Sequence, residues 1–210
     1  MKAYHKGRAA ATKREQPLAL EAGDPYIHYN KGALALYALQ DYISGEKVNV
    51  ALKRFIKDWN AFGGSLQRDR YATTDDLLGY FRAVTPDTLQ NVITDLFETI
   101  TIYDNKVIAA RYKKLSENKY QVDLTIQVLK HHIDSLGVET TVRPGDWIDI
   151  GVYAKNENGK EELIYLNKHK ITKQITDLQI VVDRLPTKAE IDPRHIMIDK
   201  NGDDNVAPFW

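Results

Sequence analysis

The chain has 210 residues, a length that allows one or two folded domains with a sizeable buried core. Hydrophobic residues make up 43% of it and charged residues 28%, which is usual for a folded protein and excludes low-complexity and collagen-like chains. Basic and acidic residues number 29 each, so the net charge of zero provides no overall field for nucleic acid, and the absence of cysteine excludes disulfides and thiolate metal sites.

Helical periodicity dominates the first half of the chain. Between residues 26 and 99 apolar residues recur at helical spacing, which predicts four or five short helices. One of them, over residues 46–62, carries six apolar side chains on a face that we expect to be buried: Val48, Leu52, Phe55, Ile56, Trp59 and Phe62. No window approaches the roughly 18 apolar residues of a membrane-spanning helix, so a soluble fragment is expected.

Three local patterns predict where these helices begin and end. Gly45 is expected to end one helix, because glycine adopts the left-handed conformation that follows a helix C-terminus. Thr73 with Asp76 resembles a capping box in which Asp replaces the usual Glu. Thr85 is expected to cap a helix that begins at Pro86.

Strand periodicity replaces helical periodicity after residue 100. Residues 119–128 alternate apolar and polar side chains, and Asn158 with Gly159 marks a hairpin between two further strands. No amphipathic helix separates the later strands, so at least five strands in an antiparallel sandwich with short edges are expected. The predicted fold is α+β and multi-domain, with an all-α region over residues 1–100 and a β-sandwich over residues 101–210.

Conventional catalytic motifs are scarce. The Gly63-Gly64 pair lacks the strand and the Lys-Ser/Thr of a phosphate-binding loop. His131 and His132 are adjacent on a predicted strand end, so they should point to opposite faces and be solvent-exposed rather than bind one metal ion. The paired carboxylates are most simply a helix first turn at Asp75-Asp76 and a solvated tail at residues 203–204.

Residues 25–32, Pro-Tyr-Ile-His-Tyr-Asn-Lys-Gly, carry the most specific pattern. They resemble the Tyr-x-Lys-Gly segment of the zinc aminopeptidase N family, the gluzincin metallopeptidases. Residues 46–62 and 71–81 look like the next helices of that family's catalytic region, and the β half, ending at residues 186–193, is similar to its immunoglobulin-like module. Residues 95–100 look closest to bacterial members fused to an ABC-transporter-permease-like membrane region.

The resemblance assigns a role to Tyr29 and implies a missing partner. In that family a tyrosine at this position stabilises the transition state of peptide hydrolysis, and zinc is held by a His-Glu-x-x-His helix and a downstream Glu. Neither that helix nor the Gly-x-Met-Glu-Asn strand occurs in this chain. Asn30 stands where many relatives carry Glu, and Lys31 is expected to be a surface or helix-start residue.

Two functions follow as alternatives. In the first, this chain is the C-terminal part of a membrane-tethered zinc aminopeptidase that acts on peptide N-termini; the upstream catalytic half supplies the zinc, and the isolated chain is inactive. In the second, the complete protein is a non-catalytic binding or scaffold module of a transporter. The apolar area of the helices exceeds what they can bury among themselves, so the isolated chain is expected to self-associate through the helical region, and a strict monomer would favour an autonomous two-domain module.

Overall fold

The computed structural model describes residues 1–21, 23–59 and 70–209. These residues form an α+β protein with antiparallel sheets, as predicted. The chain divides into two compact units: a helical unit of Met1–Thr101 with Ile133–Val138, and a β unit of Ile102–His132 with Glu139–Trp210. Within the described residues, no helix is both long and apolar enough to cross a membrane.

The helical unit contains five α-helices among its described residues. Their bounds are α1 Lys2–Ala10, α2 Gly32–Ile43, α3 Gly45–Trp59, α4 Thr74–Val84 and α5 Gln90–Ile93. Short 3-10 turns lie at Leu18–Leu20 and Asp87–Leu89, and π-helical turns at Tyr26–Lys31 and Thr94–Glu98. No helix was predicted at α1, because it has only one buried side chain, Tyr4, and so lacks the apolar stripe that indicates a helix in a sequence.

One core holds α2 to α5 together. Its buried members are Ala35, Leu39, Ile43, Val48, Ala51, Leu78, Phe81, Ile93 and Phe97. The predicted face of α3 is only partly buried, because Val48 is covered and Leu52 packs against the core whereas Ile56 is 58% exposed. Phe62 and the Gly63-Gly64 pair lie outside the described residues.

The predicted helix ends are confirmed in one case and displaced in two. The Thr73 capping box forms, since Asp76 N donates to Thr73 Oγ1 at 3.4 Å and Thr73 N donates to Asp76 Oδ2 at 2.8 Å. Ser44, not Gly45, takes the positive φ after α2, because Gly45 already begins α3.

Thr85 does not cap the helix that follows it. Its Oγ1 donates to the Phe81 carbonyl at 2.7 Å, so the side chain closes the C-terminal turn of α4 instead. The next helical turn, Asp87–Leu89, begins one residue after Pro86. The predicted start at Pro86 is wrong because the hydroxyl of Thr85 finds a carbonyl acceptor behind it.

The described residues of the β unit form eight strands in two four-stranded sheets. Their bounds are β1 Ile100–Ser116, β2 Lys119–Ile133, β3 Glu139–Val142, β4 Asp146–Lys155, β5 Glu161–Ile171, β6 Ile175–Val182, β7 Pro186–Ile191 and β8 Val206–Pro208. One sheet has the order β1-β2-β3 with β6 also paired to β2, and the other has the order β5-β4-β7-β8. The Asn158-Gly159 turn joins β4 to β5 as predicted, with Gly159 at a φ of 73°.

The alternation that predicted β2 is reproduced by its burial. Val122, Leu124, Ile126 and Val128 are buried, and β6 pairs antiparallel along the same stretch. The expectation of short edge strands holds for β3 and β8, with four and three residues, but is wrong for β1 and β5, which end the same sheets and have 17 and 11 residues. Ile108 and Leu115 on β1 are accordingly exposed.

Candidate functional site

Tyr29 lies in the π-helical turn Tyr26–Lys31, which leads directly into α2. Its side chain is 72% exposed, and its ring centroid is 4.5 Å from that of His28. Among the described residues, none forms a hydrogen bond with its hydroxyl. The phenol is thus presented to the surface as a free donor, from a type of turn that is often found at functional sites.

Lys31, two residues further along the same turn, is buried rather than on the surface. Its side chain is 1% exposed, and its Nζ donates to Glu15 Oε1 at 2.8 Å. Of the two predicted placements, the surface one is therefore wrong, whereas the helix-start one is confirmed, since Lys31 immediately precedes α2. The physical reason is that a carboxylate 16 residues earlier supplies the counter-charge that a buried ammonium requires.

Glu15 accepts two further hydrogen bonds, both from α1. The Tyr4 hydroxyl donates to its Oε1 at 2.7 Å, and Arg8 Nε donates to its Oε2 at 2.8 Å. Tyr4 is fully buried, and the Lys31 ammonium lies 5.8 Å from the centre of its ring. We call Tyr4, Arg8, Glu15 and Lys31 the Glu15 cluster.

Burial shifts the pKa values of Lys31, Tyr4 and the neighbouring Tyr26. It lowers the pKa of Lys31, and the neighbouring Glu15 carboxylate opposes that change. Burial, reinforced by the charge of Glu15, raises the pKa of Tyr4 and raises the pKa of Tyr26 to about 12. Both phenols are therefore neutral donors at physiological pH.

Close packing places α1 directly against the turn that carries Tyr29. A Cβ at Gly7 would lie 2.3 Å from the Cβ of Tyr26, a distance that no side chain can accept. The Tyr4 and Tyr26 rings are 6.1 Å apart at their centroids. A glycine inside a helix is a sequence signal of such close approach, but it does not say which element approaches.

A cleft of about 290 Å³ opens beside the cluster. Its lining includes four basic side chains and the two carboxylates of Glu15 and Asp134; the basic ones are His5, Arg8, Lys13 and Arg14. Because both signs of charge line it, the cleft suits polar groups rather than an apolar ligand. Sequence reasoning missed this feature, since its basic residues lie in a stretch without a recognisable motif.

His131 is buried, contrary to the prediction of exposure. Its Nδ1 lies 3.0 Å from Glu139 Oε1 and 3.1 Å from Thr141 Oγ1, while its Nε2 has no partner among the described residues. The alternation along β2 shifts by one residue here, because Lys130 and His131 are both buried. The strand period used for the prediction does not hold at that point.

The residues described do not assemble a zinc site. Among them, no group of three or more His, Cys, Asp or Glu side chains is placed to hold a metal ion. The paired carboxylates have structural partners instead. Asp76 completes the α4 cap, and Asp204 Oδ2 lies 3.8 Å from Lys106 Nζ.

Comparison with known proteins leaves the family of this chain open. No family model matches the sequence, and no curated protein matches it significantly.

Proposed function

We propose that this chain is the C-terminal part of a membrane-associated, zinc-dependent aminopeptidase-like protein, in which Tyr29 stabilises the transition state of peptide hydrolysis. The observation that carries the proposal is the exposed, unpaired phenol of Tyr29 at the start of α2. The resemblance of residues 25–32 to the Tyr-x-Lys-Gly segment supplies the reaction class.

In this proposal Tyr29 donates one hydrogen bond to the carbonyl oxygen of the peptide bond that is hydrolysed. As a peptide carbonyl is attacked, negative charge grows on its oxygen, and a donor aimed at that point stabilises the transition state more than the substrate. Tyr29 has a hydroxyl donor that is not occupied by any described residue. In this proposal the upstream half activates the attacking water.

Exposed apolar residues near Tyr29 support an upstream partner. Leu36 and Tyr37 on α2 are 40% and 44% exposed and follow Tyr29 by seven and eight residues, which is about two helical turns. Side chains at this spacing share a helix face, and an apolar face beside a catalytic donor suits the wall of a cleft closed by another domain. The catalytic half and the peptide substrate are the proposed partners of this face.

The β unit is proposed to be an immunoglobulin-like sandwich that braces the enzyme. Two four-stranded sheets with buried alternate residues are what such a sandwich requires. The β unit carries none of the residues assigned to catalysis.

Replacing Tyr29 with Phe in the complete protein tests the proposal. The change removes the donor and keeps the ring, so we expect kcat to fall about 100-fold or more, with an unchanged melting temperature because the side chain is exposed. Tyr71→Phe is the matched control, since Tyr71 is another exposed phenol of the helical unit.

Three outcomes separate the alternatives. A fall of kcat in Tyr29→Phe but not in Tyr71→Phe supports the aminopeptidase proposal. Wild-type turnover in Tyr29→Phe overturns the role of Tyr29. A complete protein without aminopeptidase turnover, despite correct folding, overturns the enzyme and favours the scaffold module.

A further inference from the structure

The turn that carries Tyr29 is fixed to the rest of the helical unit through a buried charge. Lys31 belongs to that turn, and its ammonium reaches Glu15 in a stretch of chain without regular structure. Glu15 is in turn fixed by Tyr4 and Arg8 on α1. We propose that the Lys31–Glu15 ion pair is the positioning element for Tyr29, an inference that rests on the proposed function.

Geometry favours Lys31 as the anchor of this turn. Residues two apart in a helical turn point to nearly opposite sides, so an inward Lys31 requires an outward Tyr29. Their exposed fractions, 1% and 72%, show this opposition. Holding the Lys31 ammonium at 2.8 Å from Glu15 therefore fixes the rotation of the turn and, with it, the direction of the Tyr29 hydroxyl.

Energetics explain why a positioning role fits an ion pair here. Burying two charges is expensive, and an apolar pair of similar volume would commonly give equal or greater stability. An apolar pair, however, tolerates small rotations that a hydrogen-bonded pair does not. The Glu15 cluster lies in the unit that presents Tyr29, where orientation matters for a donor that must meet a developing charge.

Hydrogen exchange on the 210-residue chain tests the anchor directly. In Lys31→Met we expect the amides of residues 26–32 to exchange at least about tenfold faster, because the turn opens more often. Lys130→Met is the matched control: it also removes a buried lysine, paired with Asp146 at 3.0 Å, but from the β unit. Unchanged exchange at residues 26–32 in Lys31→Met overturns the inference.

Kinetics on the complete protein test the effect on Tyr29. Displacement of the hydroxyl by Lys31→Met should lower kcat by roughly 10- to 100-fold and leave KM nearly unchanged. In the Tyr29→Phe background, Lys31→Met should cause no further loss, because the two residues act as one unit. A merely structural lysine would instead lower activity equally in both backgrounds.

The failures of the two proposals are distinguishable. Wild-type turnover in Tyr29→Phe overturns the proposed function. Loss in Tyr29→Phe together with wild-type kcat in Lys31→Met overturns only the positioning role.

Discussion

Removing the charge of Glu15 should destabilise the helical unit more than any surface substitution. Glu15→Gln keeps the shape of the side chain but leaves the Lys31 ammonium, 1% exposed, without its counter-charge. Breaking a buried ion pair by removing one partner costs about 3–5 kcal/mol. Tyr4 loses a charged acceptor as well, whereas Arg8, about one-third exposed, can turn to water.

Urea unfolding followed by helical circular dichroism measures this cost. With a denaturant slope of about 1–3 kcal/mol/M, a loss of this size lowers the midpoint by at least about 1 M. Glu98→Gln is the control in the same unit, because the Glu98 pair with Arg82 is about one-third exposed on both sides. It should cost no more than about 1 kcal/mol.

The pH dependence of Glu15→Gln provides a second check with a definite sign. Without Glu15, burial still lowers the pKa of Lys31, so the native state binds fewer protons than the unfolded state below the ordinary lysine pKa. Stability then rises with pH. The deficit of Glu15→Gln relative to wild type should therefore shrink between pH 7 and pH 10. A cost equal to that of Glu98→Gln, or a deficit that grows with pH, would refute a buried Lys31 ammonium.

Two further predictions concern other parts of the chain. Burial raises the pKa of Asp192 to about 7, so the stability that its protonated side chain contributes is full below about pH 4 and is lost as the pH rises to 7. The melting temperature of wild type should therefore fall over this pH range, and Asp192→Asn should reduce that fall. The apolar face of α2 should cause self-association, and in light scattering we expect Leu36→Glu to abolish it and the exposed control Leu115→Glu on β1 to leave it unchanged. The reverse result would place the interface on the sheet edge.

Local patterns predicted the elements whose stabilising partners are close in sequence. The capping box of α4 joins residues three apart, and the β4–β5 turn depends on two adjacent residues. The strand β2 was predicted because ten successive residues alternate. In each case the physical cause, a cap, a turn or a two-sided strand, is contained in one short window.

Elements that depend on distant partners escaped prediction. The strands β3 and β8 have four and three residues, too few for a detectable period, and β8 exists through its pairing with β7. The helix α1 has low apolar content, and its packing against Tyr26 requires Gly7. Such elements form because of their tertiary contacts, and a single sequence does not show which residues will be in contact.

The candidate site divides in the same way. Tyr29 could be singled out because its motif is local, but the burial of Lys31 could not, since the charge that permits it is 16 residues away. Lysine is almost never fully buried unless it is paired. A buried lysine two residues from an exposed phenol therefore carries information that the motif lacks: the fold accepts a desolvation cost at the turn that presents Tyr29, and it directs three hydrogen bonds to Glu15 to offset that cost. A turn needed only for packing would be expected to use an apolar residue at position 31.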